Sequence, residues 1–483
     1  MLFNSIEFFV FLPVVFCLYW FLFSKSLRWQ NLFLLAASYF FYGWWSIQFL
    51  GLLALSTLLD FCYGFSVASE NRKKARLFLW LSVVNNLGIL AIFKYYNFFI
   101  EQFQTFFALW GIHTSLAMLQ LALPIGISFY TFHGMSYVFD IYRGKQKPVT
   151  NFVDYAVFVS FFPLLVAGPI ERANHLLPQA QQKRVFSYSQ AVNGCRLILW
   201  GLFKKVVIAD SLSGVVNEIY NNQAGNNAFT LILGAIGFSF QIYGDFSGYS
   251  DIALGCAKLF GFELLSNFRF PYFSRDIAEF WRRWHISLSS WFRDYLYIPL
   301  GGSKSGKAKA VRNTFIIFIV SGFWHGASWN FIIWGFIHAC YFLPLLLLNR
   351  NRKHVSEVVA QSRKWPSLKE VVQMIFTFSL VTFAWIFFRA PTLGSAVSYI
   401  KQIIVSAYNN PFQFMHWPAS GKNIFLYIIP LVIIDWWFRR DERTLMVPQV
   451  STPARWAGYY LIVLLVLYFG ISQSHQQFIY FQF

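Results

Sequence analysis

Apolar residues run along this chain in blocks of roughly bilayer-spanning length, separated by short polar segments that hold most of the charge. A helix needs about 20 mostly apolar residues to cross a membrane. The blocks near 5–23, 30–46, 48–68, 77–93, 119–140, 152–168, 190–208, 228–250, 312–327, 329–348, 371–388, 423–438 and 456–472 approach that length. The pattern predicts an all-α polytopic membrane protein with about 11–13 membrane segments, some short, tilted or re-entrant. The uncharged stretch from Thr314 to Asn349 covers 36 residues. As one helix it would be ~54 Å long, too long for one crossing, so a break near Gly326 is expected. That break places His325 beside an interruption, where irregular backbone survives only if protein or a water-filled cavity satisfies it.

Residues 268–312 depart from this pattern. Arg269, Arg275, Arg282, Arg283, Arg293, Lys304, Lys307, Lys309 and Arg312 alternate there with Phe, Trp and Tyr. The segment is too charged to cross a bilayer and too aromatic for a free loop, so it reads as amphipathic helices at the cytosolic face, dipping inward. The string Gly301–Gly306 lacks a phosphate loop's preceding strand and GK[ST] ending, and reads as a turn. Other basic clusters are Lys25 and Arg28, then Arg72, Lys73, Lys74 and Arg76. Further along come Arg143, Lys145 and Lys147; Arg350, Arg352, Lys353, Arg363 and Lys364; and Arg439, Arg440 and Arg443. Lysine and arginine favour the cytosolic side, which puts the first two clusters inside and the N-terminus outside. No polar segment is long enough for an independent soluble domain, so residues 1–483 read as one membrane domain.

Composition narrows the function classes. The chain is 57% hydrophobic and only 12% charged, against about a quarter charged in soluble domains. Its formal charge of +19 belongs to loops that set orientation, which argues against nucleic acid as a partner. Cys17, Cys62, Cys195, Cys256 and Cys340 form no CxxC pair and read as small buried hydrophobes. No HxxxH or HExxH spacing occurs, so neither a metal nor a bound cofactor is expected. The first segment lacks a basic n-region and a cleavage site, and reads as a retained span.

Two histidines carry the candidate chemistry. His325 sits in Gly322-Phe-Trp-His325-Gly326 within the apolar run, and an ionisable group at membrane depth is a functional-site hypothesis by default. If its surroundings are helical, Ser321, Ser328 and Trp329 share its face. Hydroxyls there would orient the ring and the tryptophan would exclude water, which suits a neutral general base. His285 follows Arg282, Arg283 and Trp284; it is either a second site group or a surface histidine on an amphipathic helix. Arg282, Arg283 and Arg293 are either guanidinium forks for a phosphorylated carrier or anchors to anionic lipid. Asp245, Ser247, Tyr249 and Asp251 cluster in an apolar setting, as a polar tunnel lining or a capped helix break. A transporter in which His325, Asp245 and Asp251 relay protons is the competing class; the absence of repeated halves counts against it.

Several motifs match a known family in order. They are Pro124-Ile-Gly-Ile-Ser-Phe-Tyr130, Phe161-Phe-Pro with Ala167-Gly-Pro-Ile170, and Gln241-Ile-Tyr-Gly-Asp-Phe-Ser-Gly-Tyr-Ser-Asp251. Trp281-Arg-Arg-Trp-His-Ile-Ser-Leu-Ser289, Arg293-Asp-Tyr-Leu-Tyr-Ile-Pro-Leu-Gly-Gly302 and Gly322-Phe-Trp-His-Gly326 follow. The chain resembles the membrane-bound O-acyltransferases from about residue 5 to 390, and Trp385-Ile-Phe-Phe-Arg389-Ala resembles the alginate O-acetylation branch. The resemblance implies helices ringing a thinned core, with a tunnel joining the two faces at the catalytic histidine, His325, and His285 as the second site position. It implies an acyl thioester such as acetyl-CoA, or a carrier protein, as cytosolic donor. It also implies a cell-surface polysaccharide acceptor and a separate periplasmic esterase-like partner, in a bacterial inner membrane. D-alanyl transfer to teichoic acid and peptidoglycan O-acetylation are the neighbouring alternatives.

Overall fold

The computed structural model describes residues 1–304, 306–355, 357–409, 419–440, 450–472 and 478–479. Among these residues all regular structure is helical, and the chain falls into two compact units. The first comprises Met1–Cys195 with Ala253–Leu265, and the second Arg196–Ile252 with Ser266–Phe483. Among the described residues, six helices are long and apolar enough to cross a membrane: Ile47–Val67, Arg72–Ala108, Ala228–Leu259, Trp329–Leu347, Leu368–Arg389 and Thr452–Ile471.

The first unit begins with α1 (Ile6–Cys17), α2 (Leu27–Gly43), α3 (Ile47–Val67), α4 (Arg72–Leu90) and α5 (Tyr96–Ala108). Ser5, Ser26 and Ser46 each cap the helix that follows, accepting the N–H of the residue three positions on, which satisfies a donor the helix itself cannot. Next come α6 (Ile127–Tyr142), α7 (Phe152–Ser160), α8 (Phe162–Ala167), α9 (Ala173–Ala180) and the start of α10 (Tyr188–Leu202). The expected span at 119–140 is wrong at its start, because Pro124 and Gly126 (φ 74°) delay the helix to Ile127. The expected 152–168 span is broken at Phe161 (ψ 116°), ahead of Pro163. The two breaks meet, since a Cβ on Gly126 would collide with the Leu165 carbonyl. Buried Asp60 on α3 accepts from Ser82 (2.7 Å) and Asn86 (2.9 Å) on α4, a polar clamp between apolar helices.

The second unit takes the end of α10, a wide π-helical turn Phe203–Ala209, α11 (Asp210–Asn221) and α12 (Ala228–Leu259) up to Ile252. Then follow α13 (Ile277–Arg283), α14 (Ile286–Phe292), α15 (Lys307–His325), α16 (Trp329–Leu347), α17 (Leu368–Arg389), α18 (Leu393–Asn409), α19 (Ala419–Phe438) and α20 (Thr452–Ser472). The break at Gly326 falls where expected. Helices α15 and α16 cross through glycine: a Cβ on Gly322 would strike the Phe331 carbonyl, and one on Gly335 the Phe318 carbonyl. Small residues at such crossings let two backbones approach closely.

Two further expectations are corrected. The middle of segment 268–312 is not an exposed amphipathic face: Ile277, Glu279, Phe280, Trp281, Trp284 and His285 are buried. Part of the segment's charge is paired internally, with Glu279 bound to Arg275 (3.0 Å) and Arg283 (3.1 Å), while Arg293, Lys304, Lys307 and Lys309 stay exposed. Cys17, Cys62 and Cys195 are exposed, and only Cys256 is fully buried, because apolar positions on spanning helices face lipid as readily as core. The expected turn is seen at Gly301 and Gly302, both at positive φ; Ser305 and Arg443 lie outside the described residues.

Candidate active site

His325 is the last residue of α15, and Gly326 leaves the helix in an extended conformation (φ −164°). The crossing at Gly322, one turn earlier, fixes its height against α16. Rings surround it: Trp324 at 4.9 Å between centroids, Trp334 at 5.2 Å and Phe388 at 5.3 Å. The expected serine-lined face is therefore corrected. Ser321 keeps its place one turn back, but Ser328 stands at the N-cap position of α16 and Trp329 is 50% exposed. With the helix ended at His325, the i+3 and i+4 positions no longer share its face.

His285 reaches the same place from another element. It is the N-cap of α14 and adopts a left-handed conformation (φ 43°, ψ 54°). A non-glycine residue there costs of order 1–3 kcal/mol and persists only when its surroundings impose it. Asn267 imposes it: its carbonyl accepts the Ile286 N–H (2.9 Å), and its side chain accepts from the Ser287 hydroxyl (2.6 Å). The ring packs edge-on to Phe246 (4.7 Å) and lies 6.4 Å from that of His325. His285 is 1% exposed, and neither of its ring nitrogens has a hydrogen-bond partner among the described residues. Burial pushes its pKa from 6.5 down to about 3, so the ring is neutral, with one N–H and one lone pair left over. The surface reading of His285 is overturned.

A third histidine, missed in the sequence, stands next to this pair. His338 on α16 accepts the indole N–H of Trp281 at Nδ1 (3.3 Å), and its ring lies 4.9 Å from Trp334. Accepting at Nδ1 places the proton on Nε2, which is buried and without a partner among the described residues. The indole N–H groups of Trp334 and Trp385, whose rings stack at 5.5 Å, are likewise unsatisfied. Buried polar atoms are nearly always hydrogen-bonded, so these unmet donors, among the described residues, set this region apart as the candidate site.

The acidic cluster on α12 lies against two lysines. Lys204 Nζ contacts Asp251 (2.6 Å) and Ser247 (2.9 Å), and Lys205 Nζ bridges Asp210 and Asp245 at 2.8 Å each. Asp245 also accepts the Ile479 N–H (2.7 Å), and Lys205 sits 5.4 Å from the centre of the Tyr249 ring. Both lysines lie on the π-helical turn, a feature that often marks functional positions. Asp245, Ser247, Tyr249 and Asp251 thus form an ion-paired block, while their neighbour Phe246 is the residue of this stretch packed against His285.

The arginines divide. Arg282 donates to the carbonyls of Asn351 (2.8 Å) and His354 (3.1 Å), so much of its donor capacity is spent inside the protein. Arg293 is on the surface, its side chain 61% exposed and paired with adjacent Asp294.

The two buried imidazoles thus lie together amid aromatic rings of the second unit. The chain matches the model of the MBOAT, membrane-bound O-acyltransferase family over residues 34–390. It belongs to that family and is an O-acyltransferase. It is 36% identical to the probable alginate O-acetylase AlgI of Pseudomonas putida, with both chains covered in full. It is 38% identical to the protein of that name in Azotobacter vinelandii, over 88% of this chain and 80% of the relative. To the peptidoglycan O-acetyltransferase of Helicobacter pylori it is 35% identical, over 84% of this chain and 80% of the relative.

Proposed function

We propose that this protein takes an acetyl group from a cytosolic thioester, acetyl-CoA or an acyl carrier, and delivers it across the membrane for O-acetylation of a cell-surface polysaccharide such as alginate. The observation that carries the reading is the pairing of His285 with His325, 6.4 Å apart. His325, in its neutral form, accepts the proton of the attacking hydroxyl as that oxygen bonds to the thioester carbonyl carbon. The C–S bond breaks and the imidazolium returns its proton to the leaving thiolate. His285 donates its N–H to the developing oxyanion, or orients the donor, from a site that excludes water. A separate outer partner completes transfer to the polymer, since the attacking hydroxyl need not belong to the polymer itself. The lysine and arginine bias supports an N-terminus outside a bacterial inner membrane.

The test is thioester consumption by the purified full-length protein supplied with acetyl-CoA and a hydroxyl acceptor. Wild type should release thiol and form acetyl ester in equal amounts, and His325→Gln should do neither. Thiol release unchanged in His325→Gln would move the chemistry to His285. D-alanyl transfer from a carrier protein, with acetyl-CoA inert, would replace the acetyl assignment.

A further inference from the structure

Helices α10, α19 and α20 line a groove of about 360 Å³, within the range of small-molecule sites. Leu199 and Trp200, Ile433 and Trp437, and Gly458 and Ile462 make its wall from the three helices in turn. Among the described lining residues, charge enters through Arg196 and Arg455. The Arg196 guanidinium lies 6.0 Å from the centre of the Tyr459 ring. Arg455 is one turn before Tyr459 and shares its helix face, so both charges gather at one part of the groove. That part adjoins the end of α19, which runs directly into Arg439 and Arg440. A Cβ added to Gly458 would meet no atom within 4 Å, so open space borders that backbone.

We propose that this groove binds one anionic phospholipid, an acyl chain along the apolar wall and the phosphate at Arg196 and Arg455. Charge complementarity selects the occupant: guanidinium forks match phosphate oxygens, and basic pockets between membrane helices on the lysine- and arginine-rich side hold anionic headgroups. The pantetheine arm of a thioester donor fits worse. Its amides would lie unpaired against Trp200 and Ile433, and an amide buried without a partner is costly. The site is independent of the acyl-transfer reading.

The test uses the full-length protein in detergent, titrated with phosphatidylglycerol or phosphatidylcholine of identical chains and followed by native mass spectrometry and thermal unfolding. Phosphatidylglycerol should bind at least about tenfold more tightly than phosphatidylcholine and raise the melting temperature. The double variant Arg196→Gln/Arg455→Gln should lose that preference. Gly458→Leu, which fills the groove, should weaken phosphatidylglycerol binding while melting like wild type without lipid. Equal binding of the two lipids by wild type overturns the proposal. So does phosphatidylglycerol binding that survives both variants, and so does glycerol phosphate protecting as well as the intact lipid. If Gly458→Leu melts lower, the arginine variant decides.

Discussion

The imidazoles of His285 and His325 lie 6.4 Å apart, although one opens a helix and the other closes a different one. Each ring is held by a backbone feature just beside it: the left-handed turn fixed by Asn267, and the extended Gly326 after a glycine-tight crossing.

His325→Gln should lose about 100- to 10,000-fold in acyl transfer, the range expected for a general base, while melting near the wild-type temperature. His325→Ala should lose activity and also about 2–5 kcal/mol of stability, because Trp324, Trp334 and Phe388 would then line a cavity. Rate and melting measured together separate the two. A Gln variant with substantial activity would end the general-base assignment.

Stability should fall as pH drops below 6.5. Over the window from 6.5 to about 3 the unfolded chain protonates the His285 imidazole and the folded chain does not, so the unfolded state binds the extra proton and gains. The contribution is fully present above 6.5. Between pH 7.5 and 5 it should cost wild type about 2 kcal/mol that His285→Gln does not lose. Parallel melting curves of the two proteins across that window would refute the buried neutral ring.

Lys205→Met should destabilise the protein by about 3–5 kcal/mol, since it leaves Asp210 and Asp245 buried without their shared cation. Adding Asp245→Asn should restore part of that loss, and a double-mutant cycle reads the coupling directly. Purely additive losses would mean that the lysine does not hold the two carboxylates together.

Gly335→Ala should cost about 1–3 kcal/mol by forcing α15 and α16 apart. The inserted protein that remains should be less active than its abundance predicts, because the crossing sets the position of His325. Normal specific activity would separate the helix crossing from the site.

On a cysteine-free background, Lys74→Cys and Lys353→Cys, both at exposed positions, should resist impermeant maleimide in intact cells and label after lysis. Labelling of both in intact cells would exchange donor and acceptor faces.

The site was partly legible in the sequence, for identifiable reasons. Chain length alone forced the break at Gly326, since 36 uncharged residues cannot cross as one helix. The families of motifs around His285 and His325 singled out both rings. His338 escaped because a lone histidine inside an apolar helix carries no local signal; only folding brings Trp281 to its Nδ1. Lys204 and Lys205 escaped for a similar reason, since their partners Asp251 and Asp245 lie far along the chain on α12. The burial of 277–285 was unreadable because Glu279 finds Arg275 and Arg283 within the unit, which a hydropathy window counts only as charge.

A neutral imidazole with both nitrogens unmet is half of a handshake. It favours a guest offering a lone pair and a hydrogen together, which an alcohol does at a single atom. An alkylammonium brings hydrogens and a charge but no lone pair, and it would be stripped of water beside a ring that resists protonation. The two ring nitrogens of His285, unmet among the described residues, thus imply chemical selectivity: on the proposed reading, a hydroxyl should be accepted beside this ring and an alkylammonium of similar size turned away.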